Sequence, residues 1–177
     1  MQAVENYRRL VRPVLVGTGG RWASVALTAL RVIVGIFMIH NGLDKLEDMP
    51  SFIEAYVVPL GFPFPTFFGY AAALTELVAA PLLAVGLMTR FAALGLFTTM
   101  AVAVYHHILT AGLMIPVIEL SGLYGVTFLA FTVTGAGPYS LDAVLAGQLD
   151  RWLMRVRSET LESLETSLQS EPTTAKK

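Results

Sequence analysis

The sequence predicts an all-α fold, a four-helix transmembrane bundle with a C-terminal amphipathic helix. Of its 177 residues, 55% are hydrophobic and only 14% are charged. Soluble domains carry about 25% charged residues, so this balance favours the bilayer as solvent. Four apolar segments approach or exceed the roughly 20 residues that a helix needs to cross the hydrocarbon core. Proline, glycine and charged residues separate these segments, as expected for a chain that crosses the membrane four times.

The four apolar segments are expected to span the membrane in turn. They run from Ala23 to Leu43, from Phe67 to Met88, from Phe91 to Leu113 and from Ile118 to Thr134. Prolines in the stretch 47–65 prevent one long regular helix there, and its aromatic residues suit the headgroup region. The short link around Arg90 makes the second and third helices antiparallel neighbours. Glycines and a proline at 135–138 end the fourth helix.

The parts outside the four spans differ in composition. Residues 1–22 form a basic segment ahead of the membrane domain at 23–139. Residues 140–157 carry apolar side chains at three- and four-residue steps, which predicts an amphipathic helix. Its arginines and Trp152 suit a membrane surface, and packing under the bundle or against a partner is the alternative. Residues 158–177 are rich in Ser, Thr and Glu, so a disordered tail is expected.

Basic residues concentrate on one side of the predicted path. That side carries Arg8, Arg9, Arg12, Arg21, Arg90, Arg151, Arg155 and Arg157. On the other side only Lys45 is basic, and four acidic residues lie near it. Because cytoplasmic loops are enriched in Lys and Arg, this asymmetry predicts that both termini are cytoplasmic. The expected location is a bacterial cytoplasmic (inner) membrane, with the lipid bilayer as the first partner.

Composition also excludes several kinds of chemistry. The chain has no cysteine, which excludes disulfides, dithiol redox chemistry, thiolate zinc sites and cysteine-held iron–sulfur clusters. A redox role would therefore need a bound cofactor. The net charge of −1 gives no electrostatic case for nucleic acid as a partner.

Two ionisable residues lie well inside the apolar segments. Counted along the helices, Arg31 lies about 12 Å and Glu76 about 18 Å from the cytoplasmic end. Charges at these depths are costly unless they are neutralised, so an Arg31–Glu76 ion pair between neighbouring helices is predicted. The pair either only joins the helices or holds Glu76 as a proton carrier or ligand contact. Both interpretations stay open.

A second group of polar residues lies near the opposite end of the bundle. It comprises His40, Asp44, His106, His107 and Glu119. His40 and Asp44 are four residues apart and share a helix face, where a carboxylate raises the basicity of an imidazole. Such a group can bind a quinone carbonyl, relay a proton or consist only of interfacial residues. No ligand spacing supports haem, and no metal site is predicted.

Helical geometry restricts how these residues combine. His106 and His107 point about 100° apart, so only one is expected to face a given site. Arg31 and His40 are nine residues apart, on nearly opposite faces of a straight helix. Unless the helix bends, the predicted ion pair and the histidine group are therefore two sites.

Three stretches together resemble the DoxX family. They are R-V-I-V-G-I-F with H-N-G-L-D-K-L in 31–46, L-T-E-L-V with G-L-M-T-R in 74–90, and G-A-G-P-Y-S-L-D in 135–142. The resemblance covers about residues 30–144, and Pro138 stands where a basic residue is common. It implies a four-helix membrane protein. Relatives include a small membrane subunit associated with thiosulfate:quinone oxidoreductase, subunits of complexes that manage oxidative stress, and membrane chaperones or cargo receptors.

Three functions follow as hypotheses. The first is the membrane subunit of a quinone-linked oxidoreductase complex, in which a histidine bonds the quinone and a soluble oxidoreductase partner supplies electrons. The second is a non-catalytic scaffold or chaperone that recruits partners through the C-terminal helix and the aromatic loop. The third is a small transporter or proton pathway, which would require a homo-oligomer. Whether the chain is itself an enzyme stays open.

Overall fold

The computed structural model describes residue 5 and residues 20–170. Four helices in it are long and apolar enough to cross a membrane. They are α1 (Arg21–Glu47), α2 (Pro65–Val85), α3 (Thr89–Ala111) and α4 (Ile115–Thr134). The described residues form only helices and connecting turns, which confirms the predicted all-α bundle with four membrane-spanning helices.

The four helices pack in chain order. Helix α1 packs on α2, α2 on α3 and α3 on α4, so α1 and α4 are the two ends of the array. We call the end of the bundle that holds the turn between α2 and α3 the turn end, and the opposite end the loop end. A shared apolar core fills the half nearer the turn end. Its most deeply buried members include Met38, Ala80, Leu83, Leu96, Phe128 and Phe131.

Helix α2 ends at Val85, three residues before the predicted end at Met88. Gly86 adopts a left-handed backbone conformation with φ +74°, which favours glycine because it has no Cβ. The N–H groups of Gly86 and Leu87 both donate to the carbonyl of Leu82, at 3.0 and 2.9 Å. This pattern ends a helix by satisfying its last carbonyls.

The connection between α1 and α2 is helical but broken into three pieces. Met49–Phe52 forms one α-helical turn, Ile53–Val57 a π-helical turn and Val58–Leu60 a 3₁₀ turn. Pro50 begins the first piece and Pro59 lies in the third. As predicted, the prolines prevent one long regular helix, because each lacks a backbone N–H for the helical ladder.

Two glycines of α1 set its register against α2. A Cβ added to Gly35 would lie 2.8 Å from Ala84 Cβ and 3.0 Å from the carbonyl oxygen of Ala80. A Cβ added to Gly42 would lie 3.0 Å from Leu77 Cγ. Small residues allow helix backbones to approach closely inside a membrane. Gly35 therefore lies opposite Ala84, and Gly42 lies opposite Leu77.

The predicted Arg31–Glu76 ion pair is wrong. Arg31 is buried at the turn end, where its guanidinium donates to backbone carbonyls. Its Nε donates to the carbonyl of Ala84 at 3.3 Å and its Nη2 to that of Tyr139 at 2.9 Å. Its Nη1 donates to the carbonyl of Ala136. Arg31 thus ties α1 to the end of α2 and to the chain after α4.

The register of α1 explains this error. Gly42, not Arg31, lies beside Glu76, because a Cβ on Gly42 would be 3.3 Å from Glu76 Cβ. Eleven residues separate Arg31 from Gly42, or about 16 Å of helical rise. Counting from the helix start overestimated the depth of Arg31. Helix α1 begins at Arg21, ten residues before Arg31. Its first part, about 15 Å long, therefore extends past the end of α2 and adds nothing to the depth of Arg31 in the bundle.

Asp142 completes the polar contacts at the turn end. Its carboxylate accepts hydrogen bonds from the N–H groups of Met88 and Thr89, at 2.8 and 3.0 Å. Its own N–H donates to the carbonyl of Gly86 at 2.8 Å. The acid therefore caps the N-terminus of α3, whereas Arg31 meets a carbonyl at the C-terminus of α2 and two carbonyls in the connection after α4. Both charges complement the dipoles of the helices that they contact.

The C-terminal helix α5 extends over Leu141–Ser170. The predicted helix ended at residue 157, and a disordered tail was expected from 158, so the prediction is wrong for residues 158–170. This stretch consists mainly of Leu, Glu, Ser and Thr, and the first helix breaker after it is Pro172. Residues 171–177 of the predicted tail, like 1–4 and 6–19 of the N-terminal segment, lie outside the described residues.

Replacing Gly35 by alanine should weaken the α1–α2 contact. Overpacking of this kind costs about 1–3 kcal/mol, against a gain of up to about 1 kcal/mol from helix propensity. We expect Gly35→Ala to lower the free energy of unfolding by about 1–2 kcal/mol, measured by SDS titration in mixed micelles. Gly122→Ala is the matched control, because a Cβ there has nothing within 4 Å. Equal behaviour of the two variants would contradict the proposed register.

Candidate functional site

A cavity of about 950 Å³ lies between the four membrane helices, in the half nearer the loop end. Helices α1 and α4, the two ends of the array, face each other across it. The connection between α1 and α2 forms another part of its wall. Most of the lining is apolar, and six aromatic rings contribute to it. They are Phe37, Phe52, Tyr56, Phe62, Phe68 and Tyr124.

The cavity brings together five of the seven predicted site residues. These are His40, Asp44, Glu76, His106 and His107. Arg31 lies at the turn end among backbone carbonyls, so it is not part of this site. Glu119 is exposed on α4 and does not line the cavity. The prediction that the Arg31–Glu76 pair and the histidine group are two separate sites therefore agrees with the structure for Arg31 and is wrong for Glu76, which lines the same cavity as the histidines.

Glu76 forms its ion pair with Lys45, which the sequence analysis did not select. Glu76 is completely buried, and both of its carboxylate oxygens accept hydrogen bonds from Lys45 Nζ. The Lys45 side chain is 16% exposed and lies 5.4 Å from the centre of the Phe52 ring, within range of a cation–π contact. The Lys45–Glu76 pair forms a polar floor in an otherwise apolar part of the cavity.

A periodic signal for Lys45 was present in the sequence. Arg31, Met38, Gly42 and Lys45 follow one another at steps of seven, four and three residues, which places them on one face of α1. The first three are all buried. The sequence analysis treated Lys45 only as an interfacial base, because it lies near a helix end. The periodicity instead indicates that its side chain starts from the buried face.

His40 and Asp44 form the rim of the cavity. The four-residue spacing predicts this contact, and His40 Nε2 lies 3.4 Å from Asp44 Oδ2. Their side chains are 78% and 56% exposed. An exposed pair of this kind contributes little to stability, so its importance lies in its position between the cavity and solvent.

His106 and His107 both line the cavity, so the expectation that only one of them would do so is wrong. Their rings lie 5.4 Å apart, and the ring of Tyr56 lies 5.1 Å from His106 and 6.5 Å from His107. Tyr56 belongs to the connection that crosses the loop end. Because this connection lies beside α3, the cavity wall extends over a wide arc of that helix and includes both rings.

His106, one of the residues that line this wall, has a buried ring nitrogen without a partner. The residue is only 5% exposed, and among the described residues its Nδ1 has no hydrogen-bond partner. Buried polar atoms nearly always have a partner, so an unpaired nitrogen beside a cavity indicates a position where a ligand or water binds. No group of three or more His, Asp or Glu side chains in the described part of the chain is arranged to hold a metal ion. The site is suited to a flat apolar molecule that carries hydrogen-bonding groups.

Removing either partner of the Lys45–Glu76 pair should destabilise the bundle, and removing Lys45 should cost more than removing Glu76. Lys45→Met leaves a carboxylate buried in mid-helix, and we expect a loss of about 3 kcal/mol in the free energy of unfolding. Glu76→Gln should cost about 1 kcal/mol, because the flexible lysine can extend towards the loop end. The double variant should lose less free energy of unfolding than the two single variants lose together. SDS titration of all three proteins measures these differences.

Combining Arg31→Lys with Glu76→Gln is the control for this cycle. Residues without a shared contact should give additive effects to within about 0.5 kcal/mol. Additivity between Lys45 and Glu76, or strong coupling between Arg31 and Glu76, would contradict the pairing described here.

Comparison with known proteins agrees with the predicted family. The family model DoxX matches residues 26–111. An uncharacterized protein of Haemophilus influenzae is 34% identical over 121 residues, covering 66% of this chain and 87% of that protein. A second uncharacterized protein of the same species is 30% identical over 139 residues, covering 71% and 87%. No solved structure matches the chain significantly. The chain belongs to the DoxX family of multi-pass membrane proteins.

Proposed function

We propose that this chain is the membrane subunit of a quinone-linked oxidoreductase complex and that its cavity binds the quinone headgroup. The observation that carries the proposal is an aromatic cavity of about 950 Å³ lined by His106, a residue whose Nδ1 is buried without a hydrogen-bond partner among the described residues. A quinone is a flat apolar ring with two carbonyl acceptors. It therefore needs aromatic walls and a few polar groups that converge on the ring.

The dimensions and the lining of the cavity support a ligand of this class. Ligand pockets usually measure about 300–1,000 Å³ and are mainly apolar with few polar groups. Phe52 and Tyr56 stack with their ring centres 5.5 Å apart on one wall, and the Lys45–Glu76 pair lies on the floor. An isoprenoid tail would leave between α1 and α4, since these helices are the ends of the array.

The composition indicates which chemical steps fall to this chain and which to its partner. The chain has no cysteine for thiol or iron–sulfur electron transfer, so in this proposal a soluble oxidoreductase partner supplies the electrons. The residues of this chain bind the ring and exchange protons with it. His106 and the Lys45–Glu76 pair are the groups nearest to that role, because they combine deep burial with ionisable or hydrogen-bonding atoms.

We further propose that the turn end faces the cytoplasm of a bacterial inner membrane. Arg90 lies at this end, and α5 with Arg151 and Arg155 follows from it. Cytoplasmic enrichment of basic residues supports this orientation. Exposed apolar side chains of α5, among them Leu145 and Trp152, would then rest in the interface while the arginines meet anionic lipid.

Replacing His106 tests the proposal directly. His106→Phe keeps an aromatic ring against Tyr56 but removes both ring nitrogens. Loss of one hydrogen bond of about 1.4 kcal/mol should weaken binding of a short-chain ubiquinone analogue about tenfold. Affinity is measured from the ligand-dependent rise of the unfolding temperature in nanodiscs. Glu119→Gln is the matched control, because that carboxylate lies outside the cavity.

Two results would contradict quinone binding. One is purified protein that carries no extractable quinone by mass spectrometry and gains no thermal protection from the analogue. The other is equal thermal protection of the wild type, His106→Phe and Glu119→Gln by the analogue, because a ligand whose binding does not depend on His106 does not occupy this site.

A scaffold function is the second candidate, and one feature of α5 favours it. The side chains of Leu145, Leu149 and Trp152 form an exposed apolar stripe on this helix. Truncation after Gln148 removes most of the stripe but keeps the contacts of Asp142 at the turn end. If this truncation releases a stoichiometric partner while His106→Phe changes nothing, the scaffold function is preferred.

A further inference from the structure

The cavity is closed towards the turn end by a layer of apolar side chains. In this layer every buried residue is apolar, in the ranges 34–38 of α1, 79–83 of α2, 92–96 of α3 and 128–131 of α4. Seven residues separate Glu76 on the cavity floor from Leu83 in the layer, or about 10 Å of helical rise. Beyond it, at the turn end, Arg31 contacts backbone carbonyls and Asp142 caps α3. The layer offers no group that can carry a proton.

Ionisable groups lead from the cavity floor towards the loop end instead. Glu76 is completely buried, its partner Lys45 is 16% exposed, and the neighbouring Asp44 contacts the exposed imidazole of His40. All four residues line the cavity, together with His106 and His107. Chains of carboxylates and imidazoles within membrane proteins are typical of proton routes.

We propose that the cavity is in aqueous contact with the loop end only and exchanges protons there, through the Lys45–Glu76 and His40–Asp44 pairs. This rests on the proposed function, in which the bound ligand is a quinone. Reduction of a quinone to a hydroquinone takes two electrons and two protons and forms two O–H bonds. The soluble oxidoreductase partner supplies the electrons, and the protons enter from the aqueous phase at the loop end. With the turn end in the cytoplasm, the loop end faces the opposite side of the membrane. The protons are taken up from that side, and oxidation of the hydroquinone releases them there.

The absence of cysteine makes this one-sided access measurable. Ser121→Cys places a single thiol on the cavity wall, and Ala79→Cys places one in the apolar layer. Both positions are 8% exposed, so they are matched in burial. Glu54→Cys and Ser158→Cys mark the loop end and the turn-end side, because both residues are exposed. The reagent is a membrane-impermeant methanethiosulfonate, added to sealed vesicles of either orientation.

We expect Ser121→Cys to be modified from the side that modifies Glu54→Cys and not from the side that modifies Ser158→Cys. Ala79→Cys should be modified from neither side. Modification of Ser121→Cys from the turn-end side, from both sides or from neither side would overturn the proposal.

Two further measurements connect this access to the rim and to the ligand. His40→Trp should slow modification of Ser121→Cys by narrowing the mouth, whereas Glu119→Trp, outside the cavity, should not. A ubiquinone analogue at ten times its dissociation constant should slow modification about tenfold by occupying the cavity. If the analogue has no effect but access is one-sided, quinone binding fails and the aqueous route stands. If the analogue protects but access is from the turn end, binding stands and the route fails.

Discussion

Helix α1 carries two cations on one face, the buried Arg31 and the half-buried Lys45, and the bundle is arranged around them. Arg31 and Lys45 are fourteen residues apart, or about 21 Å along the helix. The guanidinium meets carbonyls at the turn end, and the ammonium meets Glu76 in the middle of α2. Between these contacts, Gly35 and Gly42 let α1 approach α2 closely. A Cβ added to either glycine would lie too near to atoms of α2. Sliding α1 by one helical turn would break both charge contacts, so together they fix its register.

The two cations divide the molecule into halves with different properties. At the turn end, Arg31 meets the C-terminus of α2 and the connection after α4, and Asp142 caps the N-terminus of α3, so each charge lies at a helix end of favourable dipole. At the loop end, Lys45 and Glu76 border a cavity instead of a packed core. The apolar layer between the halves separates a structural polar site from one that a ligand can reach.

Much of the fold could be predicted from the sequence, because membrane spans need long apolar runs and because proline and glycine mark their ends. The partner of each buried charge could not be predicted. Depth counted from helix ends placed Arg31 about 6 Å from the level of Glu76, but the close contacts at Gly35 and Gly42 put the two about 16 Å apart along the helix axis, a shift of about 10 Å. The histidine and acidic residues of the cavity were found because ionisable residues in apolar segments stand out. Tyr56 was not selected, because only the packing of the connection brings it beside α3.

The inward position of Lys45 is difficult to explain by stability alone. Lys45 lies two residues before the end of α1, and lysine side chains near helix ends usually extend to the water interface. A buried ion pair offers little net stability compared with apolar side chains of similar size, since desolvation offsets the attraction. Gly35 and Gly42 already hold α1 against α2. What the inward lysine adds is a charged donor and a paired carboxylate at the floor of a cavity that also contains the unpaired nitrogen of His106. In the proposed function, those are the groups with which a proton-exchanging ligand would interact.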